Sequence, residues 1–429
     1  MKRFNKTDQS GTALVVTILV LVVLSILGTA ALTLTNTELL IVRNIKLNAK
    51  AFYNAESGIY FTLSQVEEAL GNGTQDIYLP ATIGSSKNFN STLINKLSDL
   101  NIRFEISSIT KKSNKIYSFN STGRASNNAQ EKINAKFTRG SAVNFAVFGD
   151  KEVDVGNTAG IYSYNSTVIS DPVPSDSTGY ADSGSNELVI LRNNCVVDGS
   201  TVLGKNVNGV QATLDDKGGI VSGTNGMTID RIDPDPLGLI GGEYADNVSY
   251  YSLAINNDND ELSTDPSNSI SGSNMVLENG QNATLQGKSG GANYYFNDIK
   301  LKNNAVLYIN TTNGSVNIYL AGEIDAVTGS NIITKDTDSP GIFGNPRDFS
   351  IFASSQDNTN KISIGNDVGF YGFIYAPYIS VRMDNSADIF GAIVAQSVYI
   401  TNSVDIYFDT GMKNEYQSKK IILKSWCEL

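Results

Sequence analysis

Histidine is absent from the 429-residue sequence, and cysteine occurs only twice. Without histidine the chain lacks the commonest general base and the commonest transition-metal ligand, which excludes serine triads and His-ligated zinc sites. Two cysteines, Cys195 and Cys427, are too few for a disulfide scaffold. One bridge in an oxidising compartment and two free buried thiols are the open alternatives, because the spacing of the two residues does not decide between them.

Positive charge is also scarce, with 32 Lys and Arg against 43 Asp and Glu and a net charge of −11. Residues 1–44 contain four basic and two acidic side chains, so the other 385 residues carry a net charge of −13. This acidity excludes nucleic acid as a partner and disfavours docking on an anionic membrane surface. The length of this acidic part is sufficient for a large core and predicts two domains.

No charged side chain occurs between residues 11 and 36, and Ala13–Leu34 is long and apolar enough to span a membrane as a helix. The preceding leader, residues 1–11, has three basic residues and one acidic residue. This bias keeps the N-terminus in the cytoplasm and predicts export of the rest of the chain. A secretory signal peptide is the alternative, but its apolar region is normally shorter. We therefore expect a single-pass protein of the inner (cytoplasmic) membrane.

The helical pattern continues beyond the membrane, since residues 37–70 contain no proline and one glycine. Apolar residues there recur at helical spacing; they are Phe52, Ile59, Leu63, Val66 and Leu70. The pattern predicts one continuous helix over residues 12–70, half in lipid and half supporting a domain. The sequence Gly71-Asn72-Gly73 predicts its end.

Three segments of this helix resemble the N-terminus of PilX-type proteins, which are minor, pilin-like subunits in type IV pilus assembly. They are Gly11–Thr29, Thr37–Leu39 and Ala51–Ile59, and the third, Ala-Phe-Tyr-Asn-Ala-Glu-Ser-Gly-Ile, is the most specific. The resemblance covers about the first 60 residues, and Tyr117–Arg124 is a weaker similarity. It implies other pilins and minor pilins as partners, and residence in a pilus or at the cell surface after assembly.

The resemblance also implies cleavage by a prepilin peptidase after Gly11, which leaves Thr12 as the mature N-terminus. Major pilins usually carry Glu at the fifth mature position, whereas this chain has Val16. In a filament that carboxylate is thought to compensate a neighbour's terminal ammonium, because an unpaired charge is costly in an apolar bundle. Its absence favours a rare subunit at the tip or in an initiating complex.

The residues expected to take part in helix packing and assembly all lie on this helix. Glu38 either faces headgroup water or contributes to assembly. Glu56 lies in line with the apolar stripe and must find a partner, either in the same chain or in a neighbouring subunit. The full set is Val16, Glu38, Ala51, Phe52, Tyr53, Ala55, Glu56 and Gly58.

Residues 71–142 are predicted to form a small pilin-like α+β region. We expect one short helix over residues 90–100, an antiparallel hairpin over 102–106 and 116–119, and a third strand over 132–138. A sheet packed against the end of the long helix is the pilin-like arrangement. An unrelated α+β collar without a filament role is the alternative.

Residues 143–412 have the pattern of an all-β repeat domain, followed by a C-terminal tail, 413–429. Tyr371–Val381 matches Phe390–Ile400 at an offset of 19 residues, and Asp388–Phe390 recurs as Asp405–Tyr407 at an offset of 17. A repeat of 17 to 20 residues built of short strands is typical of a parallel β-solenoid, in which each coil buries its apolar face against its neighbours. A β-sandwich is the alternative.

Acidic residues supply the enzymatic and metal-binding hypotheses for this domain. Asp388 and Asp405, one coil apart, have the spacing of a carboxylate pair in a polysaccharide-degrading enzyme, or of solvated residues at equivalent turns. Asp258, Asp260 and Glu261 offer oxygen ligands for Ca²⁺ but lack the remaining features of an EF-hand loop. We expect no cofactor and no metal, and we expect residues 241–272 to project from the core.

Together these patterns predict a non-enzymatic minor pilin-like subunit of the type IV pilus. Its extracellular β domain would serve adhesion or partner contact, with an adhesin or a surface glycan as the expected ligand. The alternative is a membrane-anchored β-solenoid protein that binds carbohydrate or degrades polysaccharide.

Overall fold

The computed structural model describes most of the chain, which divides into two compact units. The anchor unit is Met1–Arg139 with Ile421–Leu429, and the solenoid unit is Gly140–Lys420. The helix predicted over residues 90–100 and the stop predicted at Asn72-Gly73 lie outside the described residues. Those described are 9–71, 77–80, 82–88, 103–112, 116–141, 143–166, 168, 172–239, 243–265, 270–271, 273–327, 329–335, 345–365, 369–384, 386–414 and 416–428.

One long helix, α1 (Gln9–Gly71), opens the anchor unit. Ser and Thr hydroxyls in its apolar half donate to carbonyls four residues earlier, as Thr17 does to Ala13 at 2.8 Å, so these polar groups are satisfied within the helix. The described residues contain one helix long and apolar enough to cross a membrane, with a mean hydropathy of 2.8 over its most apolar window. The predicted long helix is confirmed.

A six-stranded antiparallel sheet completes the anchor unit. Its central strand β4 pairs with β2, β3 and β5, and the chain's last strand, β30, lies beside β5 at the sheet edge. Most of residues 413–429, for which the sequence predicts a C-terminal tail, form β30. The strands are β1 (Ser86–Lys87), β2 (Phe104–Ile106), β3 (Ile109–Lys111), β4 (Ile116–Arg124), β5 (Gln130–Ser141) and β30 (Gln417–Glu428).

The C-terminal half of α1 packs on this sheet through a common apolar core. Ile59 and Val66 of the helix are buried with Phe119 of β4 and Ile133 of β5. Alternation along β4 and β5 places these aromatic and β-branched side chains on one face of the sheet. The structure therefore has the helix-on-sheet arrangement expected of a pilin-like region.

Among its described residues, the solenoid unit contains strands β6 to β29 and a helix, α2 (Glu243–Tyr251). Before α2 come β6 (Val147–Val155), β7 (Gly160–Tyr164), β8 (Ser183–Ser185), β9 (Leu188–Leu191), β10 (Val196–Val197), β11 (Thr201–Leu203), β12 (Thr213–Asp216), β13 (Ile220–Val221) and β14 (Met227–Thr228). After it come β15 (Ser263–Asp265), β16 (Ile270–Ser271), β17 (Asn274–Leu277), β18 (Asn282–Gln286), β19 (Ala292–Phe296), β20 (Ile299–Leu301), β21 (Val306–Asn310), β22 (Val316–Leu320), β23 (Ile324–Ala326), β24 (Asn331–Lys335), β25 (Phe349–Ala353), β26 (Lys361–Ile364), β27 (Gly369–Met383), β28 (Asp388–Ile400) and β29 (Asp405–Asp409).

Parallel pairing between successive turns of the chain makes this unit a three-sided solenoid. One side runs β17-β20-β23-β26-β27-β28-β6-β9-β12, and a second runs β19-β22-β25-β27-β28-β6-β8-β11-β14. The third contains β18-β21-β24 and, further along, β27-β28-β29-β7-β10-β13. The parallel β-solenoid is confirmed, and the β-sandwich alternative is wrong.

Inside the solenoid, equivalent positions of successive coils form continuous apolar rows. One fully buried row follows the first side and explains why short apolar triplets suffice in each coil. Its members are Met275, Ile299, Ile324, Ile362, Val381, Val398, Val153 and Val189.

The predicted repeat matches the register of β27 and β28 over its first half. Tyr371 pairs with Phe390 at the offset of 19, but Val381 pairs with Val398, an offset of 17, so the predicted match of Val381 with Ile400 is wrong. The shift falls between Ala376 and Ser380, a stretch that contains Pro377. Proline has no N–H to donate to a ladder, and the chain bulges there.

The coils do not stack in chain order. β28 pairs with β6, and β29 pairs with β7, so the first coil in the sequence lies on the last. The segment after β14 must therefore return along the stack to β17. The described residues of 232–259, the return segment, contact three strands of the second side, namely β27, β22 and β19.

The expectation that residues 241–272 project from the core is wrong for the described part of that stretch. The ring of Tyr251 in α2 stacks on that of Tyr319, with centroids 4.8 Å apart. The side-chain amide of Asn259 donates to the backbone oxygen of Tyr295 at 2.7 Å and accepts the backbone N–H of the same residue at 3.0 Å. The segment is polar by composition, yet Tyr251 covers the ring of Tyr319 on the solenoid, and this contact helps to hold the segment in place.

Candidate functional site

The residues predicted from the PilX-like motif lie on two opposite faces of α1. Ala51, Ala55 and Gly58 are buried against the anchor sheet, whereas Tyr53 is exposed. Phe52 and Glu56 are half-buried at the boundary between these faces. The structure thus brings part of the predicted set together inside the chain and leaves another part at its surface.

The small residues of the motif permit direct contact between α1 and β4. A Cβ atom on Gly123 would collide with the backbone oxygen of Ala51 and the backbone nitrogen of Ala55. A Cβ on Gly58 would collide with the Ser121 hydroxyl and the Phe104 ring. At Gly123 only glycine fits, because the two backbones approach each other directly there. The Ala-Phe-Tyr motif and the Ser-Thr-Gly strand are therefore two halves of one helix–strand contact.

Polar bonds fix the register of this contact. The Asn54 side-chain amide donates to the backbone oxygen of Arg124 at 2.7 Å. The Arg124 guanidinium pairs in turn with Glu105 at 2.8 Å, although both side chains are largely exposed. An exposed pair contributes little to stability. The hydrogen bond from the Asn54 side chain to the end of β4 is thus the more specific constraint on how the strand lies along the helix.

The C-terminal strand contributes a residue that sequence reasoning missed. The ring of Trp426, the only tryptophan, lies 5.7 Å from the ring of Phe52. Further along the helix, Ile421 donates its backbone N–H to Glu67 at 2.9 Å. Alternation of Ile421 and Leu423, which both pack against the core, was the available signal for a strand. β30 therefore runs along the C-terminal half of α1.

The outward face of α1 carries the remaining predicted residues. Val16 and Glu38 are exposed, and so are the rings of Tyr53 and Tyr60, which keep 63% and 58% of their surface. Glu56, which we expected to have a partner, has no ion pair or hydrogen bond among the described residues. Gly11 and Thr12 lie in the first turns of the helix backbone.

Asp388 and Asp405 lie directly opposite each other on adjacent strands, as their repeat predicts. Asp388 is exposed, and Asp405 is half-buried. Burial raises the pKa of Asp405, while hydrogen bonds from the Gly160 backbone and the Tyr407 side chain lower it. The pair therefore holds one solvated carboxylate beside one in a less polar setting, the kind of asymmetry that acid and base roles require.

A stack of aromatic rings follows this acidic pair along the third side. Tyr371 and Phe390 stack at 4.1 Å, Phe390 and Tyr407 at 5.0 Å, and Tyr407 and Tyr162 at 5.6 Å. The first three are at most 6% exposed. Sugar-binding platforms need open ring faces, so these rings act as a second small core.

The three residues proposed for Ca²⁺ have other roles or positions. Asp258 pairs with Lys288 and accepts the backbone N–H of Asn293 at 2.7 Å, which ties the return segment to the solenoid. Asp260 and Glu261 follow in a short 3₁₀ helix, Asn259–Glu261, where Asp260 is exposed. Within the described residues, no three His, Cys, Asp or Glu side chains form a group that could hold a metal ion.

Both cysteines are free. Cys195 is buried in the solenoid core, and burial raises the pKa of its thiol to about 11. Cys427 is exposed on β30. The structure therefore has two free thiols, of which one is buried.

Comparisons with known proteins agree with the N-terminal motif. Residues 10–59 match the family described as PilX N-terminal, and residues 297–415 match a domain of unknown function, DUF7305. No curated protein matches the sequence. The N-terminal segment is of the PilX type, so the resemblance is confirmed, and α1 fits a single-pass membrane anchor of a pilin-like protein.

Solved structures give weak similarities. The competence-associated pilin ComZ from Thermus thermophilus is 12% identical, with 89% of this chain and 97% of that chain covered and a TM-score of 0.30. An ice-binding protein from the Antarctic ascomycete Antarctomyces psychrotrophicus is 12% identical over 62% of this chain and 98% of its own, with a TM-score of 0.31. A glycosylated ice-binding protein (LeIBP) from an Arctic yeast is 11% identical over 62% and 91%, with a TM-score of 0.30.

Proposed function

On the premise of a PilX-type N-terminal segment, we propose that this chain is a non-enzymatic minor subunit of a type IV pilus. The observation that carries the proposal is the helix–strand contact between α1 and β4, in which the motif residues Ala51, Ala55 and Gly58 seat the helix on a pilin-like sheet. In this role α1 is held in the inner membrane before assembly. The leader stays in the cytoplasm, and the solenoid is exported.

Processing by a prepilin peptidase is the second part of the proposal. The cleavage would follow Gly11 and remove a short leader with basic residues Lys2, Arg3 and Lys6. The new N-terminus, Thr12, would begin an apolar helix, which suits lateral movement from lipid into a bundle of similar helices.

Position at the tip or in an initiating complex is supported by the residue at the fifth mature position. Val16 places no carboxylate there, and the first acidic residue of the helix beyond the leader is Glu38. A subunit without this carboxylate cannot compensate a buried terminal ammonium of a neighbour, as a shaft subunit would. The solenoid then becomes the exported surface for adhesion, with an adhesin or a surface glycan as its ligand.

N-terminal sequencing of the chain recovered with sheared pili tests this proposal. The expected mature chain begins at Thr12. A Gly11→Val variant is the control, since a bulky residue at the cleavage site should leave the leader attached and keep the chain in the membrane. Recovery of the wild-type chain with an intact Met1 and its absence from pili would contradict the proposal.

A second candidate, a membrane-anchored polysaccharide-degrading protein, rests on the register of Asp388 and Asp405. Adjacent parallel strands place such residues about 5 Å apart, near the carboxyl separation of retaining glycosidases. Polysaccharide cleavage that is abolished by Asp388→Asn and kept by Asp260→Asn, a change at an exposed aspartate elsewhere, would support it. Absence of polysaccharide cleavage by the wild-type chain would contradict this second candidate function.

A further inference from the structure

Asn-Gly pairs recur in the solenoid unit, and the structure describes four of them. They are Asn208-Gly209, Asn225-Gly226, Asn279-Gly280 and Asn313-Gly314. In such a pair the backbone nitrogen of the glycine can attack the asparagine side chain, because glycine has no Cβ atom to obstruct the approach. The attack removes the side-chain amide, so the surroundings of each pair decide how fast the reaction proceeds.

Asn208 lies at the tip of an exposed hairpin, residues 205–211. A bridge between Lys205 and Gln211 closes the base of this hairpin. Residues 207–210 are all exposed, and Val207 keeps 76% of its surface. The Asn208 side chain has no hydrogen bond to any described residue. Its amide carbon is therefore free to turn toward the next backbone nitrogen.

The hydrogen bonds of the hairpin tip are local. Gly209 donates its backbone N–H to the backbone oxygen of Asn206 at 3.0 Å. The Asn206 side-chain oxygen accepts the N–H of Asn208 at 2.9 Å and that of Val210 at 3.0 Å. Opening of an exposed loop tip costs little free energy, because no buried apolar contact is lost. The Gly209 nitrogen can thus reach the Asn208 side chain without any separation of coils.

Asn225 provides an internal reference with the same local backbone. Its side chain is also exposed, and the φ of Gly226 is +76°, the same value as that of Gly209. The Asn225 side chain, however, accepts the Thr201 hydroxyl at 2.7 Å and donates to Asp216 at 2.9 Å. Gly226 donates its N–H to the same hydroxyl at 2.6 Å, and Thr201 is completely buried. Both reacting groups are therefore held by one fixed side chain.

The glycines of the other two pairs contact neighbouring coils. Gly280 donates its N–H to the backbone oxygen of Asn303 at 3.1 Å. A Cβ atom on Gly314 would collide with the backbone oxygen of Lys288. Attack by either glycine nitrogen requires movement against the next coil, so these pairs are more restricted than Asn208-Gly209.

We propose that Asn208 is a site of spontaneous deamidation in the folded protein, whereas Asn225 is protected. The Gly209 nitrogen loses its proton to solvent and forms a bond to Cγ of Asn208. The bond from Cγ to the side-chain nitrogen breaks, and that nitrogen takes a proton from solvent and leaves as ammonia. Water then opens the cyclic imide at either carbonyl and gives aspartate or isoaspartate at position 208. One water is consumed and one ammonia is released, so no oxidant or reductant is needed.

The modification changes both the charge and the backbone of the hairpin. Residues 206–211 contain no charged side chain, so the product places a carboxylate on a neutral tip. Isoaspartate also adds a methylene group to the main chain between positions 208 and 209. This shifts Val210 relative to Asn206, and the two bonds to the Asn206 side chain are then not both retained. The modified hairpin is expected to be more open.

Peptide mapping by mass spectrometry tests the site in the full-length chain. The chain is incubated in detergent and mildly alkaline buffer, both folded and in denaturant. In denaturant we expect similar rates at Asn208 and Asn225. In the folded chain Asn208 should react about tenfold faster or more, because each hydrogen bond that must open first slows the reaction by a factor of about five. In water labelled with heavy oxygen, the product at position 208 should carry the label.

Thr201→Val tests the cause of the protection at Asn225. This variant removes the hydroxyl that holds both Asn225 and Gly226, so the rate at Asn225 should rise while that at Asn208 stays the same. Thr201→Ser keeps a hydroxyl and is the matched control. Unchanged slow rates at Asn279 and Asn313 show that the variant is folded.

Asn206→Ala tests the hairpin itself without touching the core. The N–H groups of Asn208 and Val210 lose their acceptor, so the tip opens more often and the rate at Asn208 should rise. Asn206→Asp keeps the acceptor oxygen and should react at the wild-type rate.

Three results would overturn the proposal. The first is an equal rate at Asn208 and Asn225 in the folded wild-type chain. The second is a folded chain in which Asn208 stays unmodified while the denatured chain reacts. The third is an unchanged rate at Asn208 in Asn206→Ala, which decides the matter even if Thr201→Val fails to fold. None of these results depends on whether the chain enters pili.

Discussion

At the scale of single residues, the glycines of the anchor unit have the clearest physical role. Gly123 stands where the backbone of β4 meets that of α1, and Gly58 of α1 lies against the side chains of Ser121 and Phe104, so a Cβ atom at either position would collide with its neighbours. The motif had suggested assembly contacts between subunits for Ala51, Ala55 and Gly58. The contact within the chain already requires small residues at these positions, whether or not another subunit is bound. Their role in assembly stays a prediction.

We expect Gly123→Ala to destabilise the anchor unit by about 1–3 kcal/mol, because the new methyl group must displace the helix backbone. Gly28→Ala is the matched control, since a Cβ there meets no atom within 4 Å. Thermal unfolding of the full chain in detergent, followed by the fluorescence of Trp426, measures the difference. Equal melting temperatures for the two variants would show that the close contact is absent.

Asp405 gives a pH-dependent prediction. Because burial raises its pKa above 3.8, the folded state binds the proton more tightly than the unfolded state does. The contribution of this group to stability is therefore full at low pH and decreases as pH rises through the raised pKa. Asp405→Asn should remove this decrease in solenoid stability, whereas Asp260→Asn should keep it. Denaturant titrations between pH 3 and pH 7 would test the difference.

At the scale of elements, β30 changes the limits of the anchor unit. The chain leaves the anchor sheet after β5 and returns to it at β30, so the solenoid unit is an insertion between two neighbouring strands. A strand at the sheet edge buries apolar side chains only if its partner strand is already formed. β30 is thus part of the anchor unit, although the whole solenoid unit separates it in sequence from β5.

Trp426→Ala should loosen this strand, since it removes the ring that packs on Phe52 at 5.7 Å. We expect a loss of about 1 kcal/mol in the stability of the anchor unit, the scale of an aromatic pair. Trp426→Phe is the control and should keep most of the contact. Differential exchange of amide hydrogens in β30 would report the change, and identical protection in the two variants would contradict it.

At the scale of the whole molecule, hydrogen bonds and a ring contact attach the return segment to the solenoid. Asp235 accepts the hydroxyl of Tyr375 at 2.6 Å and that of Tyr378 at 2.7 Å, and these bonds tie the segment to the middle of the stack. Burial and the nearby Asp235 both raise the pKa of Tyr378, so its hydroxyl keeps its proton as a donor. The bond therefore persists across the neutral pH range.

Asp235→Ala should free the return segment and expose it to proteases. Limited proteolysis of the full chain should cut the variant between residues 232 and 259 at least several times faster than the wild type, because the two tyrosine hydroxyls lose their acceptor. Asp260→Ala, a change at an exposed residue of the same region, should behave as the wild type. Unchanged cleavage in Asp235→Ala would mean that the aromatic contacts alone hold the segment.

The sequence by itself determined the features that depend on near neighbours in the chain. The uncharged run from residue 11 predicts a membrane-spanning helix, and the repeat around Tyr371 and Phe390 predicts parallel coils, because periodicity reflects which side chains share a face. The positions of Asp388 and Asp405 on adjacent coils followed from the same repeat.

Only the tertiary structure decided the contacts between distant parts of the chain. The stacking of β6 on β28, the return segment over Tyr319, and the packing of Trp426 on Phe52 join residues far apart in sequence. Such pairings produce no periodic pattern in the sequence, because they depend on which strand edge or aromatic surface is still exposed once the local elements have formed. Burial of that surface selects the partner, and a single sequence does not encode this choice in any local pattern.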